Sequence, residues 1–131
     1  LIRKFHEAKI SKADTVEVWG TGKARREFLH ADDLSDAILF LLNLGDVPDI
    51  INVGTGVDIT ISELVSLVKE TVQFEGDILY NTDMPDGTPV KRLDMTIMNG
   101  LNWKPKISLK QGLEKTYQDF LFSLSNNTLR V

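Results

Sequence analysis

The sequence predicts an α/β domain in which a small sheet is covered by amphipathic helices. Segments rich in β-branched residues, typical of strands, are interleaved with segments whose apolar residues recur every three or four positions, as they do in helices. Two Ser/Thr-x-x-Glu/Gln patterns ahead of apolar runs indicate helix starts. The length of 131 residues and the hydrophobic content of 42% fit one compact domain over residues 1–131.

A helix and a strand are predicted at the amino-terminal end. Apolar residues at helical spacing from Leu1 to Ala8 predict a helix that ends near Lys9. Residues 15–19 alternate between polar and apolar side chains, which predicts a strand. The glycines of Gly20-Thr-Gly22 permit a tight turn after that strand.

An extended piece over residues 26–30 and a longer helix are predicted next. Asp32, Asp33 and Asp36 stand at the start of a periodic apolar run, and Gly45 follows its end. Acidic residues are favoured at helix amino termini and glycine just after helix carboxyl termini. We therefore expect a helix here, with the three aspartates acting as capping and dipole charges.

The second half continues the alternation. Residues 49–53 are apolar and β-branched, which predicts a buried strand. The capping box Thr60-Ile-Ser-Glu63 predicts a helix start, residues 78–80 predict a further strand, and Pro85-Asp-Gly87 predicts a turn.

Two helices are expected at the carboxy-terminal end. Asp94 is expected to cap a short helix that ends near Asn99-Gly100. A second capping box, Ser108-Leu-Lys-Gln111, starts what we expect to be the longest helix. The chain then has about four strands, too few for a complete doubly wound sheet.

Composition excludes several classes of function. The net charge of −4 argues against non-specific binding to nucleic acid or to an anionic membrane. With no cysteine, the chain has no disulfide, no thiolate metal site and no thiol nucleophile, which fits a cytoplasmic location. His6 and His30 are isolated in the sequence, so we assign no metal.

Four side chains are candidates for a nucleotide site. Alternation along the first strand leaves Trp19 at an exposed strand end, where an indole can stack on a base, or under a neighbouring helix. The forked guanidinium of Arg26 suits the oxygens of a diphosphate, although paired arginines such as Arg25 and Arg26 are more often solvated or ion-paired. Asp86 either caps its own turn or accepts hydrogen bonds from a ligand, and Lys4 adds positive charge.

Five blocks of the sequence resemble the GDP-L-fucose synthase family of extended short-chain dehydrogenases. Several of them, such as Arg-Glu-Phe with His-x-Asp-Asp and the Trp-x-Pro stretch, are common to related enzymes that act on nucleotide sugars, and Trp-Gly-x-Gly and Asp-Gly-Thr-Pro narrow the match. The blocks occur in the family's order, at residues 18–33, 51–58, 85–91, 93–94 and 103–117.

This resemblance implies a function and a set of site residues. The family binds GDP-4-keto-6-deoxy-D-mannose, epimerises it at C3 and C5, and reduces the C4 ketone with NADPH. Lys4, Trp19, Arg26 and Asp86 fall on positions that contact the substrate. The resemblance further implies a homodimer, and it identifies residues 1–131 as the carboxy-terminal nucleotide-sugar-binding domain, a fragment of a longer chain.

The departures from the family pattern concern catalysis. The G-x-x-G-x-x-G loop, the Ser with Tyr-x-x-x-Lys and the Cys and His pair are absent, and neither Tyr80 nor Tyr117 has Lys four residues on. We therefore place no catalytic and no cofactor-binding residue in this chain, expect the Rossmann half to be largely missing, and expect exposed apolar surface on the helix from Leu1 to Ala8. Asn102 replaces the family's usual Gly, a mild change because Asn tolerates the left-handed conformation.

Two other functions remain open at this point. The chain could be the same lobe of another nucleotide-sugar epimerase or dehydratase, because a fold does not determine its substrate. It could also be a non-enzymatic nucleotide-binding module.

Overall fold

The computed structural model describes residues 1–129, and within them the chain forms an α/β domain. Helices α1 to α5 cover Ile2–Ser11, Ala31–Leu44, Ile61–Val72, Thr96–Gly100 and Leu109–Ser125. Strands β1 to β5 cover Thr15–Trp19, Arg25–Glu27, Asp58–Thr60, Asp77–Asn81 and Val90–Lys91. None of the helices in this part of the chain is long and apolar enough to cross a membrane.

The strands form two small sheets rather than one. β1 and β4 pair in parallel, with Trp19 opposite Asn81 at the carboxyl end. β2 is the centre of the second sheet, with β3 antiparallel on one side and β5 parallel on the other. The carboxyl ends of β1 and β4 therefore form a common edge, and the loops that follow them lead into the second sheet.

Two apolar cores hold these layers together. The larger core packs α1, α3 and α5 against β1, and Phe5, Val65, Val68 and Val72 are buried almost completely in it. The smaller core lies under α2 and α4, around Ala37, Met95, Met98 and Trp103.

The predicted helix starts are confirmed where capping boxes occur. Thr60 accepts from the backbone N–H of Glu63, and the Glu63 side chain accepts from that of Thr60. Ser108 and Gln111 form the same reciprocal pair ahead of α5, which at 17 residues is the longest helix described. Asn102 adopts a φ of 60°, as expected for a residue that replaces glycine.

The predicted strand over residues 49–53 is wrong. These residues have no strand partner, and Ile50 is 84% exposed, while Ile51 and Val53 pack partly against the smaller core. A strand needs a neighbour for its backbone N–H and C=O groups, and within residues 1–129 this segment has none. The short strands β3 and β5 were not predicted, since two or three residues carry no periodicity.

The start of α2 also differs from the prediction. His30 is the capping residue, because its Nδ1 accepts from the N–H of Asp32, so the predicted capping role of the aspartates is wrong. Asp32 and Asp33 do lie in the first turn, where their charge suits the helix dipole.

The exposed apolar surface is not concentrated on α1 as expected. Phe5 is fully buried in that helix. On α2, by contrast, exposed apolar side chains follow one another at helical spacing, in addition to the face that packs on the smaller core. They are Leu34, Ile38, Leu39 and Leu42, and we call them the outer face of α2.

Candidate functional site

Trp19 ends β1 at the edge that the carboxyl ends of β1 and β4 share. Val16 and Val18 are only 2% and 4% exposed, whereas Trp19 is 63% exposed, which confirms the predicted alternation. Within the described residues, therefore, no helix covers Trp19. In α/β proteins, ligands bind outside the carboxyl ends of parallel strands. The exposed indole therefore stands where a planar ligand group could stack on it.

Asp86 reaches across to the loop that follows Trp19. Its Oδ1 accepts from the N–H of Thr21 at 2.7 Å, and its Oδ2 accepts from the Thr21 hydroxyl at 2.6 Å. Those bonds, from the side chain first and then from the backbone, hold the pKa of Asp86 below its ordinary value. The carboxylate thus joins two loops, a role that neither of the sequence-based alternatives included.

Arg26 lies in β2 beside the same loop. Its Nη1 donates to the carbonyl of Arg25 at 2.6 Å and to the carbonyl of Thr88 at 2.7 Å. The two N–H groups of Nη1 are thereby used, whereas Nε and Nη2 have no hydrogen-bond partner among the residues that the structure describes. Arg26 also lines a groove of about 390 Å³ together with Phe28, Thr55 and Lys106.

The other cations near this site have different surroundings. Arg25 forms an ion pair with the largely buried Asp58, and Arg92 approaches the same carboxylate at 3.7 Å. Arg25 is therefore committed to a partner within the chain, unlike a merely solvated arginine. Lys91 stands opposite Arg26 in the register of β5 and β2 and is exposed.

Lys4 is exposed on α1, near the amino-terminal end of that helix. The chain reverses from α1 into β1 over residues 12–14, and a helix of ten residues and a strand of five have similar lengths of roughly 15 Å. These lengths favour a position of Lys4 on the side of the domain where β1 ends. Within the described residues, however, no hydrogen bond or shared groove joins Lys4 to Trp19, Arg26 or Asp86.

Glu27, the neighbour of Arg26 in β2, has a structural role that the sequence did not reveal. Its Oε1 accepts from the backbone N–H groups of Thr55 and Gly56, and its Oε2 accepts from that of Leu93 at 2.8 Å. Burial raises the pKa of Glu27, but the N–H groups of Leu93, Gly56 and Thr55 outweigh burial and lower it. In the sequence, the only signal for Glu27 is its position between Arg26 and Phe28.

Two aspartates of α2 bind the stretch that precedes α5. Asp33 is 2% exposed and accepts from the backbone N–H groups of Lys106 and Ile107, both at 3.0 Å. Asp36 accepts from Lys106 Nζ and from the indole N–H of Trp103, and these bonds lower its pKa. Their main role is therefore to attach the Trp-x-Pro stretch to α2.

The two histidines are structural. His6 is buried with its Nδ1 3.0 Å from the hydroxyl of Tyr117, and its ring packs edge-on against Tyr117 and Phe120. His30 caps α2. Within the described residues, no three His, Asp or Glu side chains come together as metal ligands would.

A larger concavity than the Arg26 groove lies elsewhere on the domain. An open cleft of about 1150 Å³ separates the start of α2 from α5, and it is lined by His30, Asp32, Lys115 and Phe122 among others. The residues that line this cleft do not include Trp19, Arg26 or Asp86. The charges that line it are mixed: Asp32, Glu114 and Asp119 are acidic, Lys106 and Lys115 are basic, and Asp32 forms an ion pair with Lys115.

Comparison with known proteins agrees with the resemblance seen in the sequence. Residues 1–54 match the model of the NAD dependent epimerase/dehydratase family. "Putative GDP-L-fucose synthase 2" of Arabidopsis thaliana is 52% identical over 121 residues, 92% of this chain and 37% of that protein. "Probable GDP-L-fucose synthase 1" of Oryza sativa subsp. japonica is 51% identical over 118 residues, 90% of this chain and 36% of that protein.

A solved structure has the same fold. A GDP-6-OMe-4-keto-L-xylo-heptose reductase from C. jejuni superposes with a TM-score of 0.84 at 32% identity, over 93% of this chain and 46% of that one. The chain spans little more than a third of the length of the curated relatives, at their carboxy-terminal end. It is thus similar, over nearly its whole length, to the carboxy-terminal part of GDP-L-fucose synthases, and it has the fold of GDP-sugar reductases in the epimerase/dehydratase family.

Proposed function

We propose that this chain is the substrate-binding part of an enzyme that converts GDP-4-keto-6-deoxy-D-mannose to GDP-L-fucose by epimerisation at C3 and C5 and NADPH-dependent reduction at C4. One observation carries the proposal. Thr21, two positions after Trp19, and the guanidinium of Arg26 both hydrogen-bond to the loop of residues 85–89, in a chain about half identical to plant proteins named GDP-L-fucose synthase. An exposed indole and an arginine fork are the groups that bind a base and a diphosphate.

Each candidate residue has a defined role in this proposal. Trp19 stacks on the guanine, since its ring is exposed. Arg26 binds the diphosphate with Nε and Nη2, while the carbonyls that hold Nη1 fix the plane of the guanidinium. Lys4 contributes positive charge from the start of α1. Asp86 stays at this edge through Thr21.

We assign NADPH to the part of the enzyme outside this chain. Dinucleotide phosphates bind the unoccupied backbone N–H groups of a glycine loop that leads into a helix. The loop at Gly54–Gly56 leads into β3, and the N–H groups of Thr55 and Gly56 already donate to Glu27. The loop after Trp19 leads into β2, so neither glycine loop fits a dinucleotide.

The partner of this chain is, in our proposal, the amino-terminal Rossmann half that its relatives have in addition to the matched region. The outer face of α2 supports this assignment, because large apolar side chains that are exposed at helical spacing form a patch of the kind that marks an interface. Ile50 supports it as well, since this large apolar side chain is 84% exposed.

A chimera tests the whole proposal. This chain replaces the matched region of the Arabidopsis relative, and oxidation of NADPH is followed after addition of GDP-4-keto-6-deoxy-D-mannose. We expect turnover with production of GDP-L-fucose. A folded chimera that binds NADPH but neither binds nor converts the GDP-sugar would refute the proposal.

The docking surface is tested separately by mixing this chain with the amino-terminal part of the same relative. Ile38→Glu places a charge on the outer face of α2 and should abolish co-elution of the two parts. Ile10→Glu is the matched control, since Ile10 is 68% exposed on α1. Equal co-elution of both variants would place the interface elsewhere.

A further inference from the structure

The paired bonds between Thr21 and Asp86, which we call the Thr21–Asp86 latch, point to a role in substrate recognition beyond direct contact. We propose that Asp86 is a positioning residue. Through Thr21 it fixes the loop that follows Trp19 relative to the loop that holds Arg26, and so sets the separation between the base-binding and the diphosphate-binding groups. This inference rests on the proposed function of the site.

The latch uses both oxygens of Asp86. Thr21 donates its backbone N–H to Oδ1 and its hydroxyl to Oδ2, and the same hydroxyl oxygen accepts from the N–H of Lys23 at 3.3 Å. The two loops touch at Gly20, where an added Cβ would lie 2.3 Å from Asp86 Oδ1 and where φ is 80°. Only glycine fits both this space and this backbone conformation.

The loop of Asp86 continues directly to Arg26. The carbonyl of Thr88 accepts from Arg26 Nη1 at 2.7 Å, and the carbonyl of Pro89 accepts from the N–H of Arg25 at 2.7 Å. The loop over residues 82–89 thus binds Thr21, which is two positions after Trp19, through Asp86. The same loop binds the guanidinium of Arg26 through Thr88. A movement of Asp86 would change the separation of the two groups.

The latch is not part of either core. Asp86 and Thr21 are exposed, and the loop over residues 82–89 contributes no residue to the buried clusters. Breaking the latch should therefore loosen this loop without unfolding the domain, since local openings occur where few apolar contacts hold the chain. Its effect should appear in ligand binding rather than in overall stability.

A double-mutant cycle separates positioning from direct contact. In the chimera, GDP is titrated calorimetrically against Thr21→Val, Asp86→Ala and the double variant, with Thr21→Ser as the conservative control. We expect Thr21→Val and Asp86→Ala each to weaken GDP binding about three- to tenfold, the range of one or two hydrogen bonds at an exposed site. The double variant should bind GDP at most about twofold more weakly than Asp86→Ala does. Thr21→Ser should bind GDP as tightly as the unsubstituted protein does.

A second readout follows the latch itself without ligand. Amide hydrogen exchange at Thr21, measured by NMR, should accelerate at least about tenfold in Asp86→Ala, because the N–H loses its acceptor. Thermal unfolding of the same variants checks that the fold is kept.

Two outcomes overturn the inference. If Asp86→Ala still weakens GDP binding about tenfold in the Thr21→Val background, Asp86 contacts the ligand directly. If exchange at Thr21 is unchanged, the latch does not hold the loop. Absence of GDP binding in the unsubstituted chimera refutes the proposed function instead, and the exchange measurement then still decides whether the latch exists.

Discussion

Replacing Glu27 by Gln should destabilise the domain although it changes only one atom of the carboxyl group. The carboxylate accepts backbone N–H groups with both oxygens, from Thr55 and Gly56 on one and from Leu93 on the other. In Gln, one of these oxygens becomes an NH2 group, so at least one backbone N–H faces a donor. The charge that strengthens the remaining bonds is lost as well.

The expected magnitude follows from these bonds. A hydrogen bond to a charged group contributes about 1.5 to 3 kcal/mol, and partial solvent access places Glu27 toward the lower end. We therefore expect a loss of about 2 kcal/mol in the free energy of unfolding at pH 7. For a domain of this length that corresponds to a decrease in Tm of roughly 5 to 10 °C.

The pH dependence has a definite sign. The folded-state pKa of Glu27 lies below its ordinary value of 4.5, so ionised Glu27 stabilises the folded state fully above that pH. This contribution is lost as the pH falls through the lowered pKa, where the carboxylate of the folded protein becomes protonated. The difference between the unsubstituted protein and Glu27→Gln should therefore be constant from pH 7 to about 5 and shrink toward pH 3.

The assay is urea unfolding followed by circular dichroism at several pH values, with Glu17→Gln as the control. Glu17 is an exposed carboxylate in β1, so the same substitution there removes a charge without removing an acceptor for backbone N–H groups. A loss for Glu27→Gln no larger than that for Glu17→Gln, or a difference that does not shrink at low pH, would refute the reasoning.

Three further predictions address other parts of the account. Asp33→Asn, at a 2% exposed carboxylate that binds two backbone N–H groups, should cost about 1 to 3 kcal/mol in chemical unfolding, whereas Asp32→Asn at the helix surface should cost less than about 0.5. Trp103→Ala should cost about 3 to 5 kcal/mol in the same assay, whereas Trp19→Ala, at a 63% exposed side chain, should leave stability nearly unchanged and weaken GDP binding; equal losses would contradict the assigned burial. The chain without its partner should show no saturable binding of NADPH by nicotinamide fluorescence. In light scattering, the Ile38→Glu variant of the isolated chain should self-associate less than the unsubstituted chain.

Local signals allowed much of the fold to be predicted from the sequence. The two capping boxes fix the starts of α3 and α5 because their side chains bind backbone groups only three residues away. The alternation of Val16, Val18 and Trp19 gave the buried and exposed faces of β1 correctly. The strand predicted over residues 49–53 failed because pairing is not a local property, and the described chain has no edge for it.

The site was only partly predictable for the same reason. Trp19 and Arg26 were proposed as site residues from side-chain chemistry and from the family resemblance, and they remain predictions. The contacts of Glu27, Asp33 and Asp86 could not be predicted, because they involve backbone groups between 28 and 74 residues away along the chain. An isolated carboxylate in a sequence does not indicate which distant loop it will bind. The sequence likewise does not show that Arg25, unlike its neighbour Arg26, forms an ion pair with Asp58 and is therefore structural.

Calorimetric titration of GDP into the chimera tests the central claim most directly. Arg26→Ala should weaken GDP binding about ten- to a hundredfold, because charge-assisted bonds to a diphosphate are worth roughly 1.5 to 3 kcal/mol each, and Arg26→Lys should recover part of that loss. Arg3→Ala is the control, since Arg3 is exposed and, within residues 1–129, pairs with Glu7 on the same helix; it should change binding by less than about twofold. Equal, small effects of Arg26→Ala and Arg3→Ala would contradict the assignment of this edge as the nucleotide-sugar site.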